Sequence, residues 1–278
     1  MERPEFLQED FTDLETDWQP DGEAAVLLVR LNRPDAANAY TPELVTSLCR
    51  VLRLADADQA VRCIVLTGAG RSFCAGGDLK NMEKGDGMFA GEPDELRRRY
   101  RSGIQEIPRT FEYLETPVVA AVNGAAIGAG LDLACMCDLR IASDKARFGE
   151  TFVRLGLIPG DAGTFYLQRV VGYAKAMELT LTGRVIDAGQ ALQAGLVNEV
   201  VAPATVQSRA IAVAAEIAAN APLAVALAKR GVMHGYHQSA REQLDMMAVY
   251  QGVAQTTADH REGVRAFLEK RPATFRGE

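Results

Sequence analysis

The 278-residue chain has little of what builds metal centres or aromatic recognition surfaces: three histidines, one tryptophan and 6% aromatic residues. Two of those histidines, His234 and His237 in the run HGYH, sit at helical spacing without acidic or cysteine neighbours. That pattern predicts a solvated helix face and no metal site. The five cysteines, Cys49, Cys63, Cys74, Cys135 and Cys137, form no CxxC pair and mostly fall within apolar runs. A reduced thiol packs there as a small hydrophobe, so a reducing, cytoplasmic setting is expected. Positive charge is also in deficit: 30 Lys and Arg against 37 Asp and Glu leave a formal charge of −7. This argues against a nucleic-acid surface, although a local basic patch for phosphates is allowed. No run approaches the roughly 20 apolar residues of a membrane span, and the acidic first residues lack the apolar stretch of an export signal, so no membrane partner is expected.

Two common signatures are missing as well. The run GAGRSF from Gly68 has Phe73 where the third glycine of a dinucleotide fingerprint belongs, and Gly128-Ala129-Gly130 is followed by Leu133 at that place. A nicotinamide cofactor is therefore not expected. No GxSxG elbow occurs, so a serine-hydrolase nucleophile is not expected either.

What is present is a chain that is 48% hydrophobic, with short apolar runs alternating with longer segments of helical period. The strand candidates are Ala24 to Leu31, Cys63 to Thr67, Val118 to Val122, Leu139 to Ala142 and Val197 to Val201. Such alternation predicts crossover units and parallel strands in an α/β fold. Met1 to Gly22 reads as a polar lead-in, Glu83 to Pro93 as a mobile loop, and alanine-rich helices dominate from Thr205. Two glycine-rich turns stand out, FCAGGD at Phe73 to Asp78 and NGAAIGAG at Asn123 to Gly130. Each follows a strand candidate and opens a helix, which leaves the amides of Gly77 and Ala129 without helical acceptors.

With LNRPDAANA at Leu31 to Ala39, FCAGGDLK at Phe73 to Lys80, AAVNGAAIGAGLDLACMCDLRIA at Ala120 to Ala142 and LGLIPGDAGT at Leu155 to Thr164, the chain resembles the crotonase, or enoyl-CoA hydratase/isomerase, superfamily. The resemblance implies a spiral of ββα turns over residues 23–204, after a variable lead-in at 1–22, and a helical trimerisation subdomain at 205–278. It implies an acyl-CoA thioester as substrate, with coenzyme A entering as part of it and no other cofactor. Gly77 and Ala129 would form the oxyanion hole, two amides that stabilise an enolate better than the ground-state thioester. The LNRP loop, at Asp35, Ala36 and Ala37, would cup the coenzyme, and Ala75, Gly77, Asp78, Leu79 and Lys80 would line its thioester end. The terminal FLEKRPATF segment, Phe267 to Phe275, resembles one that reaches a neighbouring subunit's coenzyme site, so a homotrimer or dimer of trimers is expected. For the RRRYR run at Arg97 to Arg101, an exposed, charge-paired helix is preferred to phosphate binding.

The acid residues depart from the hydratase pattern. Asp132 stands three residues after the second donor, where related hydratases carry one carboxylate, but Phe152 occupies the place of the other. Asp161 in PGDAGT and Asp132 in GLDL resemble the pair that lines the acyl pocket in the dienoyl-CoA isomerase branch. Glu150 would share a face with Phe152 if the chain is extended there, making it a reserve candidate. Local readings compete: Asp161 suits the cap of a helix from Ala162 to Val171, and Asp132 suits a first-turn acid. Double-bond isomerisation leads, hydration with atypical acids comes second, and retro-Claisen cleavage, thioester hydrolysis and a non-catalytic RNA-binding or scaffold role follow.

Overall fold

In a computed structural model, which describes residues 3–21 and 24–278, three successive ββα units each give one strand to each of two sheets. The first elements are β1 (Leu14–Asp21), β2 (Ala24–Leu31), α1 (Pro42–Ala57), β3 (Val61–Gly68) and β4 (Ser72–Cys74). After β4 come α2 (Leu79–Lys84), α3 (Pro93–Ser102) and α4 (Glu106–Tyr113). The next unit is β5 (Val118–Val122), β6 (Ala125–Ile127) and α5 (Ala129–Met136), and the third is β7 (Leu139–Ser143), β8 (Arg147–Gly149) and α6 (Gly163–Thr182), broken at Gly172. The large sheet runs β1-β2-β3-β5-β7-β10 and the small one β4-β6-β8-β9, with β9 at Val185–Asp187, α7 at Ala188–Gln193 and β10 at Glu199–Val201. This regular division of successive strands is the spiral that the resemblance implied. Periodicity alone left a doubly wound sheet equally open.

The strand runs are continuously apolar because the large sheet is covered on both faces. Leu27, Val29, Ile64, Leu66, Val118 and Ala120 enter the main core, while Val26, Leu28, Cys63, Val65, Val119 and Ala121 face α8 (Val206–Ala218). Val206, Ala210, Ala214 and Ala218 are the buried residues of that helix. Their four-residue spacing makes a narrow stripe of mostly methyl groups that lets α8 lie close on the sheet. The alanine-rich C-terminal part therefore begins as a layer of the core, and only α9 (Pro222–Gly235), α10 (Ala240–Gln255) and α11 (Ala258–Glu269) extend beyond it. These three bury few side chains and leave Val232, Leu244, Val249 and Phe267 exposed.

The lead-in differs from its sequence expectation. Leu14–Asp21 pairs antiparallel with β2, from Leu14 opposite Leu31 to Asp21 opposite Ala24, and Leu7, Phe11 and Leu14 are buried in the core. Met1, Glu2, Gly22 and Glu23 lie outside the described residues. The segment 83–93 contains the end of α2 and a 3-10 turn, Gly87–Phe89, that packs near Gly77. No single described helix is long and apolar enough to cross a membrane.

Candidate active site

The two glycine turns meet at the ends of β4 and β6. Gly76 has φ 77°, and a Cβ there would lie 2.9 Å from Ile127 O and 3.0 Å from Ala129 N, so only glycine lets the turns approach. The amides before Gly77 are engaged: Ala75 N donates to Ala37 O and Gly76 N to Cys74 Sγ. Asp78 then caps α2, accepting from Lys80 N at 3.0 Å and Asn81 N at 3.4 Å. On the other side Gly128 N donates to Gly149 O at 2.8 Å, and Ala129 opens α5 with an amide that has no intrahelical acceptor. Gly77 and Ala129 both line a cavity of about 540 Å³. The same wall carries Asp35, Ala36, Ala37, Ala75, Asp78, Leu79 and Lys80, so every residue expected to hold the coenzyme surrounds one space. Arg154, which no motif marked, adds a second cation beside Lys80.

Three carboxyl groups are buried next to this cavity without lining it: Asp132, Glu150 and Asp161. Both oxygens of Asp132 and of Glu150, and Oδ1 of Asp161, have no hydrogen-bond partner among protein donors. Asp132 is within hydrogen-bonding reach of both Asp161 and Glu150. A Cβ on Gly163 would fall 2.2 Å from Asp132 Oδ1, so the first residue of α6 must be glycine to admit the carboxyl group. Burial is the main reason all three hold protons above the usual carboxylate range; repulsion from Asp161 and Glu150 adds to it for Asp132 and from Asp161 for Glu150, while hydrogen bonding with Asp132 offsets part of the rise at Glu150 and Asp161. Asp132 is pushed well up, Asp161 is pushed up, and Glu150 rises to about 8. Shifts in this direction bring carboxyl groups closer to neutrality, which suits groups that both take and return protons.

Two local expectations are corrected by the backbone. Helix α6 begins at Gly163 with Ala162 as its N-cap and no capping side chain, so Asp161 is not a cap. Ala162 has φ 82°, a left-handed conformation that costs an alanine roughly 1 kcal/mol, and this strain lies directly beside Asp161. Glu150 and Phe152 do not share a face, because the chain coils into a 3-10 turn at Thr151–Leu155 instead of remaining extended. Glu150 points into the carboxyl cluster, whereas Phe152 lines the cavity, its ring 3.6 Å from where a Gly128 Cβ would stand.

Two tyrosines enter the site without having been singled out in the sequence. Tyr40 is buried between the glycine turns. Tyr100 lies against Gly160 and lines a second cavity of about 450 Å³ with Met88 and Ile104. Its phenol is pushed up to about 12, by burial first and then by the charges of Asp161 and Asp132. The available signal was that Tyr100 is the one uncharged residue of RRRYR: Arg97 and Arg98 pair with Asp94 at 2.8 and 2.7 Å on an exposed surface, while the tyrosine turns inward. In HGYH, His237 is exposed but stacks on Phe165 at 5.4 Å, and the described residues contain no cluster of metal-ligating side chains.

The family model for enoyl-CoA hydratase/isomerase matches residues 21–278. The chain belongs to the enoyl-CoA hydratase/isomerase family. It is 37% identical to 1,2-epoxyphenylacetyl-CoA isomerase of Escherichia coli over 92% of this chain and 97% of that protein. It is 38% identical to a short-chain-enoyl-CoA hydratase of Clostridium acetobutylicum over 90% of this chain and 93% of the other. The crystal structure of an enoyl-CoA hydratase from Bacillus anthracis matches with a TM-score of 0.88 at 35% identity, covering 96% of this chain and 100% of that one. Family members with this fold thus include both hydratases and isomerases, and the acid residues bear on which chemistry this chain performs.

Proposed function

We propose that the protein is an acyl-CoA double-bond isomerase that stabilises a thioester enolate, with a dienoyl- or enoyl-CoA as substrate. The observation that carries this reading is the buried trio Asp132, Asp161 and Glu150 beside a cavity where Phe152 replaces a hydratase glutamate. The thioester oxygen sits between the amides of Gly77 and Ala129, and each such donor contributes about 3 kcal/mol to the barrier reduction in acyl-transfer sites. With a 3,5-dienoyl substrate, the ionised member of the Asp132 and Asp161 pair takes a proton from C2, and the C–H electron pair becomes the enolate double bond. The electrons then shift along the chain as C6 takes a proton from the protonated member, and the carbonyl re-forms. One proton enters the carboxyl pair and one leaves, so its charge is unchanged. Phe152 keeps this exchange dry, whereas hydration needs a carboxylate to activate water on that side.

Hydration is the second reading, favoured by the contact between Glu150 and Asp132, which preserves a two-carboxyl set. The coenzyme lies along Asp35, Ala36 and Ala37, and Lys80 and Arg154 serve its phosphates. No cofactor beyond the substrate's coenzyme A is required. A homotrimer or dimer of trimers would cover Phe267 and Leu268, which are 84% and 75% exposed, and five buried free thiols suit the cytoplasm. The test is incubation with enoyl-, dienoyl- and ketoacyl-CoA esters in heavy water followed by mass spectrometry. Isomerisation exchanges hydrogen for deuterium at constant composition, hydration adds water, and cleavage divides the chain.

A further inference from the structure

Tyr40 makes two hydrogen bonds, one to each glycine turn. Its backbone N–H donates to Gly76 O at 2.7 Å, within an isolated parallel bridge between Tyr40 and Gly77. Its phenol donates to Ala129 O at 3.3 Å. Gly76 O belongs to the peptide that carries the Gly77 amide, and Ala129 O lies one Cα beyond the Ala129 amide, so one residue ties down the backbone at both. The residue is 2% exposed and packs in the main core, which leaves the hydroxyl little freedom to point elsewhere.

We propose that Tyr40 is a positioning residue that fixes the spacing of the Gly77 and Ala129 amides and so sets how strongly they polarise a bound carbonyl. This inference rests on the reading of those amides as donors to a thioester. Burial, then Cys74, Asp161 and Asp132, hold the phenol well above its ordinary range, so it remains a protonated donor while the neighbouring carboxyls exchange protons. The tether is local but its effect is amplified, because a small misplacement of a preorganised donor loses a disproportionate share of transition-state stabilisation.

The experiment compares wild type with Tyr40→Phe, which keeps the buried ring and deletes the hydroxyl. The probe is 2,4-hexadienoyl-CoA labelled with carbon-13 at the thioester carbonyl, read by isotope-edited infrared spectroscopy of the complex. Wild type is expected to shift the carbonyl band to lower frequency on binding, and Tyr40→Phe to lose a clear part of that shift. In turnover of the substrate identified from the acyl-CoA panel, kcat should fall roughly 10-fold with KM changed by less than about 2-fold, a smaller loss than deleting a donor outright. An unchanged band shift with unchanged kcat overturns the proposal, since a residue that only packs the core would move neither. If wild type does not polarise the carbonyl, the thioester reading and this inference fail together; if wild type and Tyr40→Phe polarise it equally, only this inference fails. Should Tyr40→Phe not fold, 3-fluorotyrosine at position 40 supplies a stronger donor. It should enlarge the shift, and an unchanged shift again overturns the proposal.

Discussion

Replacing Glu150 with glutamine should stabilise the protein at neutral pH while leaving its stability in acid nearly unchanged. In the unfolded chain this carboxyl releases its proton near the ordinary value of 4.5, whereas the folded protein holds it to about 8. Between those values the native state binds the extra proton, so stability falls as pH rises through the window. At about 1.4 kcal/mol per pH unit, the roughly 2.5 units from pH 4.5 to 7 set an upper bound of about 3–4 kcal/mol. Asp132 and Asp161 shift in the same direction and steepen the decline in the wild type. Glutamine removes the Glu150 contribution, and its amide finds an acceptor in Asp132. Guanidinium unfolding at fixed protein concentration, at pH 4.5, 6, 7 and 8, should show Glu150→Gln more stable by about 2–3 kcal/mol at pH 7, equivalent to roughly 5 °C in midpoint for a chain of this size. Near pH 4.5 the two should coincide. Equal pH slopes for variant and wild type would refute the buried, proton-sharing cluster.

Other expectations follow from the same geometry. Gly77→Pro, which deletes the amide donor, should abolish turnover in a protein that still folds and binds free coenzyme A; near-normal turnover would remove Gly77 from the site. Asp161→Asn and Asp132→Asn should each lose roughly 100-fold or more in rate, the scale of a lost general acid or base, with an unfolding midpoint at pH 7 no lower than wild type because a buried charge has gone. Full activity of Asp161→Asn on every accepted substrate would return the proton transfer to Asp132 and Glu150. Truncation at Arg265 should weaken coenzyme A binding, and light scattering should show a trimer or hexamer of the full chain; a monomer that binds coenzyme A tightly would contradict this.

Much of the site was legible because its chemistry is carried by local backbone patterns. Gly76-Gly77 and Gly128-Ala129-Gly130 announce their turns by composition alone, since few other residues allow backbone segments to approach so closely. Asp132 and Asp161 were readable as candidates from their motif contexts, but their contact was not, because it depends on how α6 packs beside α5. The role of Glu150 depended on a 3-10 turn that no periodicity marks. Tyr40 and Tyr100 were invisible for a similar reason: each meets a partner distant in sequence, Ala129 for one and Gly160 for the other. The strand in the polar lead-in was obscured by its composition: LETDWQPD carries only Leu14 and Trp18 as large apolar residues and pairs at an edge of the sheet. That α8 covers the sheet while α9 to α11 extend beyond it was not readable, because an alanine-rich helix reads the same whether it covers a sheet closely or stands apart.

The central claim, that this carboxyl set moves protons along an acyl chain instead of adding water, is tested most directly by turnover of a 3,5-dienoyl-CoA in heavy water. The account predicts a 2,4-dienoyl product of unchanged composition that has gained deuterium by exchange with the cluster, with both gain and product lost in Asp132→Asn and Asp161→Asn. A product heavier by one water from enoyl-CoA substrates, with no rearranged dienoyl product, would contradict it.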